Sequence, residues 1–207
     1  MVIPSINCPD FKTAKQQIEE AEGFSSWIHI DVSDGKFTKT SSWRNSAELK
    51  TLSTKLNVEV HLMVLDPEEV AKEWLEAGAK RLIVHVQEMR DPGGLLSLAE
   101  KYNADVMLSL DPTQSVEKAI PYTKDFKSLH ILTVFPGPSG QSGQPGWAEK
   151  IRALREVSPT ATIEVDGEMN PENARIAKDA GADVLISGHY IFSSPDPKGA
   201  YEKLDSI

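Results

Sequence analysis

The chain has 207 residues, 40% of them hydrophobic, with 22 Lys and Arg against 31 Asp and Glu and a formal net charge of −9. That length supports one sizeable core, so a single domain over residues 1–207 is expected, and an acidic chain without a basic stripe is a poor partner for nucleic acid or an anionic membrane. The apolar runs are short and broken by charge and Cys8 is the lone cysteine, so no signal peptide, membrane span or internal disulfide is expected, and a cytoplasmic location is.

Short Val-, Ile- and Leu-rich runs recur along the chain: "VIPSI", "WIHIDV", "VEVHLMV", "RLIVHV", "ADVMLSL", "LHILTV", "ATIEVDG" and "ADVLISG". Each has strand length and strand composition. Helical patterns lie between them. In "PEEVAKEWLEAGAK", Asp66 is the expected N-cap and Pro67 the first helical residue. Val70, Trp74, Leu75 and Ala77 share one face, and Gly78 ends the helix. Asn170, Pro171 and Gly181 repeat that punctuation. About eight such units predict a closed (β/α)8 TIM barrel. A doubly wound open sheet is the alternative, but "IPSINCPDF" after the first strand lacks its glycine-rich dinucleotide loop. The segment Pro136–Gly146, "PGPSGQSGQPG", is expected to be a loop after the sixth strand.

Side chains alternate across a strand with period two. In the second strand Ile28, Ile30 and Val32 share one face, and His29 and Asp31 the other. In the third, Val58, Val60 and Leu62 oppose Glu59, His61 and Met63. In the seventh, Ile163 and Val165 oppose Thr162, Glu164 and Asp166. Apolar faces belong against the outer helices, so the polar faces point into the barrel. Asp31, His61 and Asp166 then fall near strand C-termini, where barrel active sites are built. Burying unpaired charge is expensive. Two imidazoles and two carboxylates, His29, Asp31, His61 and Asp166, can bind a divalent transition metal. A buried hydrogen-bond network without metal is the plainer alternative. Glu59, Arg81 and Glu164 lie early in their strands and read as an ion-pair cluster on the barrel floor. His85 ends the fourth strand on the inner face, behind the ligands rather than among them. Asp34-Gly35 is a turn.

These residues, with "IPSI", "HIDVSDGKF", "VHLMV", "AGAKRLIVHV", "TVFPG", "IEVDG" and "AGADVLISG" in that order, make the chain similar to ribulose-phosphate 3-epimerases. The resemblance implies a TIM barrel that interconverts D-ribulose 5-phosphate and D-xylulose 5-phosphate. It implies metal ligands at His29, Asp31, His61 and Asp166, and an acid–base pair at Asp31 and Asp166. The metal, zinc first with iron, cobalt or manganese as alternatives, acts as a Lewis acid on the carbonyl and enediolate oxygens. It further implies substrate contacts at Ser5, His61, Met63, Gly137, Gly140, Gln141, Gly167, Glu168, Gly188 and His189. The expected partner is a small sugar phosphate; a homo-oligomer is left open.

Departures from the family concentrate at the phosphate grip. Glu168 stands where a glycine is usual and His189 where a serine is usual, the loop reads Pro138-Ser139-Gly140-Gln141, and Ser33 and Leu132 replace methionines. A carboxylate at about 4 Å would oppose each unit of phosphate charge by about 4 kcal/mol at an effective dielectric of 20. A helix N-terminus returns only about 0.3–1 kcal/mol. Three outcomes follow. Glu168 turns to solvent, or His189 approaches and supplies positive charge, or the substrate carries no phosphate; the first two together are favoured. The alternatives are an epimerase or isomerase for another ketose, a non-catalytic metal-binding barrel, and a metal-dependent hydrolase.

Overall fold

The computed structural model describes residues 1–207. Its strands are β1 (Val2–Ile6), β2 (Trp27–Ser33), β3 (Asn57–Met63), β4 (Arg81–His85), β5 (Asp105–Leu110), β6 (Ser128–Leu132), β7 (Thr162–Asp166) and β8 (Val184–Ser187). They pair in parallel in chain order, and β8 returns to β1 to close the sheet. The helices are α1 (Phe11–Ala21), α2 (Ser46–Leu49), α3 (Pro67–Glu76), α4 (Pro92–Lys101), α5 (Trp147–Val157), α6 (Pro171–Ala180), α7 (His189–Phe192) and α8 (Pro197–Asp205). This is the (β/α)8 barrel read from the sequence.

The repeat is less regular than eight equal units. Between β5 and β6 there are only 3₁₀ turns, at Val116–Lys118 and Ile120–Tyr122. Pro121 lies inside the second of these, and proline lacks the N–H that a longer helix would use there. After β2 the chain forms only the four-residue α2.

The punctuation around α6 holds: the Asn170 side chain accepts from the Glu172 and Asn173 N–H groups, and Gly181 takes φ +110°. That around α3 holds in part. Gly78 has φ +104°, but Asp66 sits at φ +52° without capping the helix, and its carboxylate pairs with Arg90 instead. The buried face of α3 is Pro67, Ala71, Trp74 and Leu75, while Val70 and Ala77 are only half-buried. The stripe is thus rotated by about one residue from the one expected.

The outward residues Ile28, Ile30, Val32, Val58, Val60 and Leu62 pack with Ile18, Ala71, Trp74 and Ala177 into one core between sheet and helices. Each large aliphatic group buried there contributes about 1.5–3 kcal/mol. Inside the barrel, β8 and the start of β1 are apolar, with Ile3, Val184 and Ile186 in contact. Strands β2 to β7 are where the interior becomes polar.

Candidate active site

Strand register brings the polar groups together. His29 lies opposite Glu59 and Asp31 opposite His61 across β2 and β3. Asp166 lies opposite Leu132 across β6 and β7. The ligand-type atoms of His29, Asp31, His61 and Asp166 all fall within 4.8 Å of one another. Asp31 Oδ1 is 3.4 Å from His29 Nε2 and 3.1 Å from His61 Nδ1. Asp166 Oδ2 is 4.0 Å from each of the same nitrogens.

Other side chains hold the two imidazoles in place. His29 Nδ1 is 2.9 Å from Glu59 Oε1. A carboxylate only accepts, so Nδ1 carries the hydrogen, leaving Nε2 facing the cluster. The other Glu59 oxygen accepts from Arg81 Nη1 at 2.7 Å, and Glu164 Oε2 lies 3.5 Å from the same nitrogen. The Arg81 guanidinium also covers the Trp27 ring at 4.7 Å. So the floor cluster exists, but Glu59 does more than stabilise it: it fixes the ring orientation of His29. On the other side, His61 Nε2 meets His85 Nε2 at 2.9 Å. The Asp31 carboxylate, which only accepts, faces His61 Nδ1, so that nitrogen carries the hydrogen and His61 Nε2 accepts from His85 Nε2–H. His85 Nδ1 then faces Asp111 Oδ2 at 3.7 Å. Asp111 was not singled out from the sequence; it follows β5, and the register that sets His85 opposite Ser109 brings it beside the ring.

Electrostatics separate the two carboxylates. Burial raises the Asp31 pKa, but bonds to His29 and His61 outweigh it and hold the group well below the usual carboxylate range. Asp166 is pushed up from 3.8 to about 7 by burial and by the Asp31 charge. Burial disfavours charged His29, yet bonds to Asp31 and Glu59 raise its pKa well above the ordinary value. His29 therefore supplies positive charge between carboxylates. A divalent ion would meet the same need: the two nitrogens and two oxygens lie 3.1–4.0 Å apart in the pairs given above, compatible with donors at about 2.0–2.2 Å from one ion. The residues present fit such an ion.

One consequence is testable without any metal. The native protein keeps a proton on Asp166 that the unfolded chain releases above pH 3.8, so the stability from that proton is present at low pH and disappears as pH rises to about 7. The raised pKa values of Glu164 and His29 act in the same direction. The low Asp31 value matters only below pH 3.8, where its contribution is lost as pH falls. The lowered pKa values of His61, His85 and His130 act in the opposite direction, so the Asp166 contribution is read as a difference: chelated Asp166→Asn is expected to fall further below its parent in stability at pH 5 than at pH 8, by up to about 3 kcal/mol. Urea unfolding of both proteins at the two pH values checks this; an equal or larger deficit at pH 8 would contradict it.

Above the cluster is a cavity of about 400 Å³ at the C-terminal ends of the strands. Asp31 and Asp166 reach it, as do Ser5, Met63, Gly137, Gly140, Gln141, Gly167, Glu168, Gly188 and His189. His29 and His61 are fully buried beneath it and do not line it. Gln141 turns inward on its own loop, donating to the Phe135 and Pro138 carbonyls. Asn7, which the sequence reading passed over, lines the cavity and donates to the Gly137 carbonyl at 2.9 Å. It continues the inward alternation of Ile3 and Ser5, the signal that could have found it. Gly188 is required sterically, since a Cβ there would lie 2.6 Å from the Ser5 carbonyl oxygen.

Glu168 takes the first of the expected courses in part. It is exposed, but its Oε2 accepts the Gly143 N–H at 2.7 Å and ties the Pro136–Gly146 loop to the end of β7. Its backbone has φ +53°, a left-handed conformation natural to glycine and costly for other residues. His189 does not come to neutralise it; its Nδ1 instead meets Ser193 Oγ at 3.1 Å. The cavity has no Lys or Arg lining it.

The family model described as "Ribulose-phosphate 3 epimerase family" matches residues 1–192. A ribulose-phosphate 3-epimerase of Chlamydia pneumoniae is 32% identical over 202 residues, covering 94% of this chain and 88% of that protein. One from Schizosaccharomyces pombe is 28% identical over 203 residues, covering 95% and 89%. Among solved structures, 3-hexulose-6-phosphate synthase from Salmonella typhimurium superposes with a TM-score of 0.76 at 14% identity, covering 99% of this chain and 96% of that one. Orotidine 5'-phosphate decarboxylase from Pyrococcus horikoshii OT3 gives 0.68 at 15% identity, with full coverage of both chains. At those identities the likeness shows the barrel alone.

Proposed function

The chain belongs to the ribulose-phosphate 3 epimerase family, a family of isomerases, and from that premise we propose that it interconverts D-ribulose 5-phosphate and D-xylulose 5-phosphate with Asp31 and Asp166 as the proton-transferring pair. The observation that carries this reading is the pair itself. Two carboxylates reach one cavity from β2 and β7, with β8 and β1 between them in the barrel, and their surroundings push their pKa values apart, Asp31 down and Asp166 up. Pairs whose surroundings push their pKa values apart divide into a base and an acid. The ionised member removes the proton from C3, and the C3–H electron pair passes to the ketone oxygen, giving an enediolate. The protonated member returns a proton to the opposite face of C3 as the carbonyl re-forms. The two carboxyls finish with exchanged protonation, ready for the reverse reaction.

His29, Asp31, His61 and Asp166 are the residues that would hold a divalent ion, and zinc suits two nitrogens and two oxygens best. When bound, such an ion supplies Lewis-acid polarisation of the substrate oxygens. Glu59 and His85 hold the two imidazoles from behind, and the Pro136–Gly146 loop covers the cavity side of β6. With one cysteine and no helix long and apolar enough to cross a membrane, the cytoplasm is the compartment we assign. The test is metal analysis followed by assay with ribulose 5-phosphate in deuterated solvent. Solvent deuterium at C3 together with epimerisation supports the reading; no exchange by metal-loaded protein overturns it.

One observation favours a second reading. Glu168 places a carboxylate in a cavity whose only basic side chain is His189, an arrangement that suits an unphosphorylated ketose. Glu168→Gly is expected to lower KM for ribulose 5-phosphate several-fold with little change in kcat, because removing the carboxylate relieves repulsion of the ester. The same variant assayed on an unphosphorylated ketose decides between them. Efficient use of the free sugar by the parent, lost in the variant, would make the second reading the correct one.

A further inference from the structure

His130 is the interior group that the proposed mechanism leaves without a task. It lies on the inner face of β6, fully buried, and the register sets Ser109 of β5 directly beside it. Ser109 Oγ and His130 Nδ1 are 2.8 Å apart. His130 Nε2 has no hydrogen-bond partner, and it stands 3.9 Å from Asp166 Oδ2. A neutral imidazole carries one N–H. If that hydrogen were on Nδ1, the Ser109 hydroxyl would lose its acceptor and the Nε2 lone pair would face a carboxylate oxygen. With the Ser109 O–H donating to Nδ1, the hydrogen is on Nε2 and points toward Asp166.

We propose that His130 is a positioning residue for Asp166: Ser109 fixes its ring so that the Nε2–H faces Oδ2 of that carboxylate and orients it by charge–dipole attraction, leaving Oδ1 to face the substrate. The inference rests on the role given to Asp166 above. It goes beyond that reading in adding a residue outside the four candidate ligands. Oδ2 is the oxygen that His29 and His61 also approach, so three imidazole nitrogens converge on one side of Asp166. Partners of this kind are typically worth 10–100-fold in activity or metal affinity.

The first measurement is the ring tautomer of His130, read from its nitrogen chemical shifts by NMR in the metal-loaded wild-type protein. The Nε2–H form is expected, with a mixture of tautomers in Ser109→Ala. An Nδ1–H form in the wild type overturns the proposal, and this readout does not depend on the reaction assigned. The second is kinetic. His130→Leu fills the site without a donor and is expected to keep its metal stoichiometry while kcat falls 10–100-fold at nearly constant KM. His130→Gln, which retains an N–H donor, should recover most of that loss. Equal losses in the leucine and glutamine variants, or full activity in the leucine variant, would overturn the positioning role. If the wild type itself fails to exchange the C3 proton of ribulose 5-phosphate, the reaction assignment falls, while the tautomer result still decides the Ser109–His130–Asp166 geometry.

Discussion

Metal-loaded Asp166→Asn is expected to lose epimerisation by roughly 10²–10⁴-fold, the usual contribution of a positioned acid–base group. Asparagine keeps the size and one carbonyl oxygen of the aspartate but cannot take up or release the proton. Asp31 remains ionised and remains at the cavity. It can still remove and return the proton of the epimer whose C3–H faces it. The variant is therefore expected to wash solvent deuterium into that epimer while forming almost none of the other. Asp31→Asn should show the complementary pattern. Mass spectrometry of recovered substrate and product reads both. Turnover near the wild-type rate by the metal-replete Asp166 variant would remove Asp166 from the mechanism.

The second large effect is expected at His61. His61→Ala removes the nitrogen that lies 3.1 Å from Asp31 and 4.0 Å from Asp166, and it also leaves His85 Nε2 without its partner. Three donors are left where four stood, and the two carboxylates lose a neighbour that lowers the cost of their burial. Bound divalent metal should fall from one per chain to well below that after gel filtration, with affinity reduced by more than the roughly 10–100-fold typical of outer partners. Glu59→Gln offers the graded comparison, since it weakens the Arg81 pair but keeps an acceptor for His29 Nδ1. Elemental analysis of the two variants checks the order. Unchanged metal content in His61→Ala would remove the histidine from the ligand set.

Much of this was legible because it is local. Period-two alternation separates Ile28, Ile30 and Val32 from His29 and Asp31, whatever the rest of the chain does. The closed barrel was legible for the same reason: each strand–helix unit carries its own stops, such as Gly78 and Gly181, and repetition of the unit does the rest. Two interior units of that repeat read less well. The α3 stripe is shifted because helix rotation about its axis is set by what the sheet presents, and the connection after β5 is not an α-helix at all.

The chain by itself determined the strand order, the outward apolar faces and the inward direction of His29, Asp31, His61 and Asp166, since these depend on alternation and local punctuation. Only the tertiary structure decided the partners of those groups. Glu59 reaches His29 and His85 reaches His61, and His130 comes to 3.9 Å from Asp166, because register and closure bring distant strands to one level. His130 illustrates the limit: in "SLHILTV" a lone histidine in an apolar run is indistinguishable from a packed core residue until Ser109 and Asp166 are placed around it. Glu168 illustrates another, because its carboxylate ends on the Gly143 N–H, a contact set by how a loop of 11 residues, 136–146, folds over the barrel mouth and not by any pattern within it.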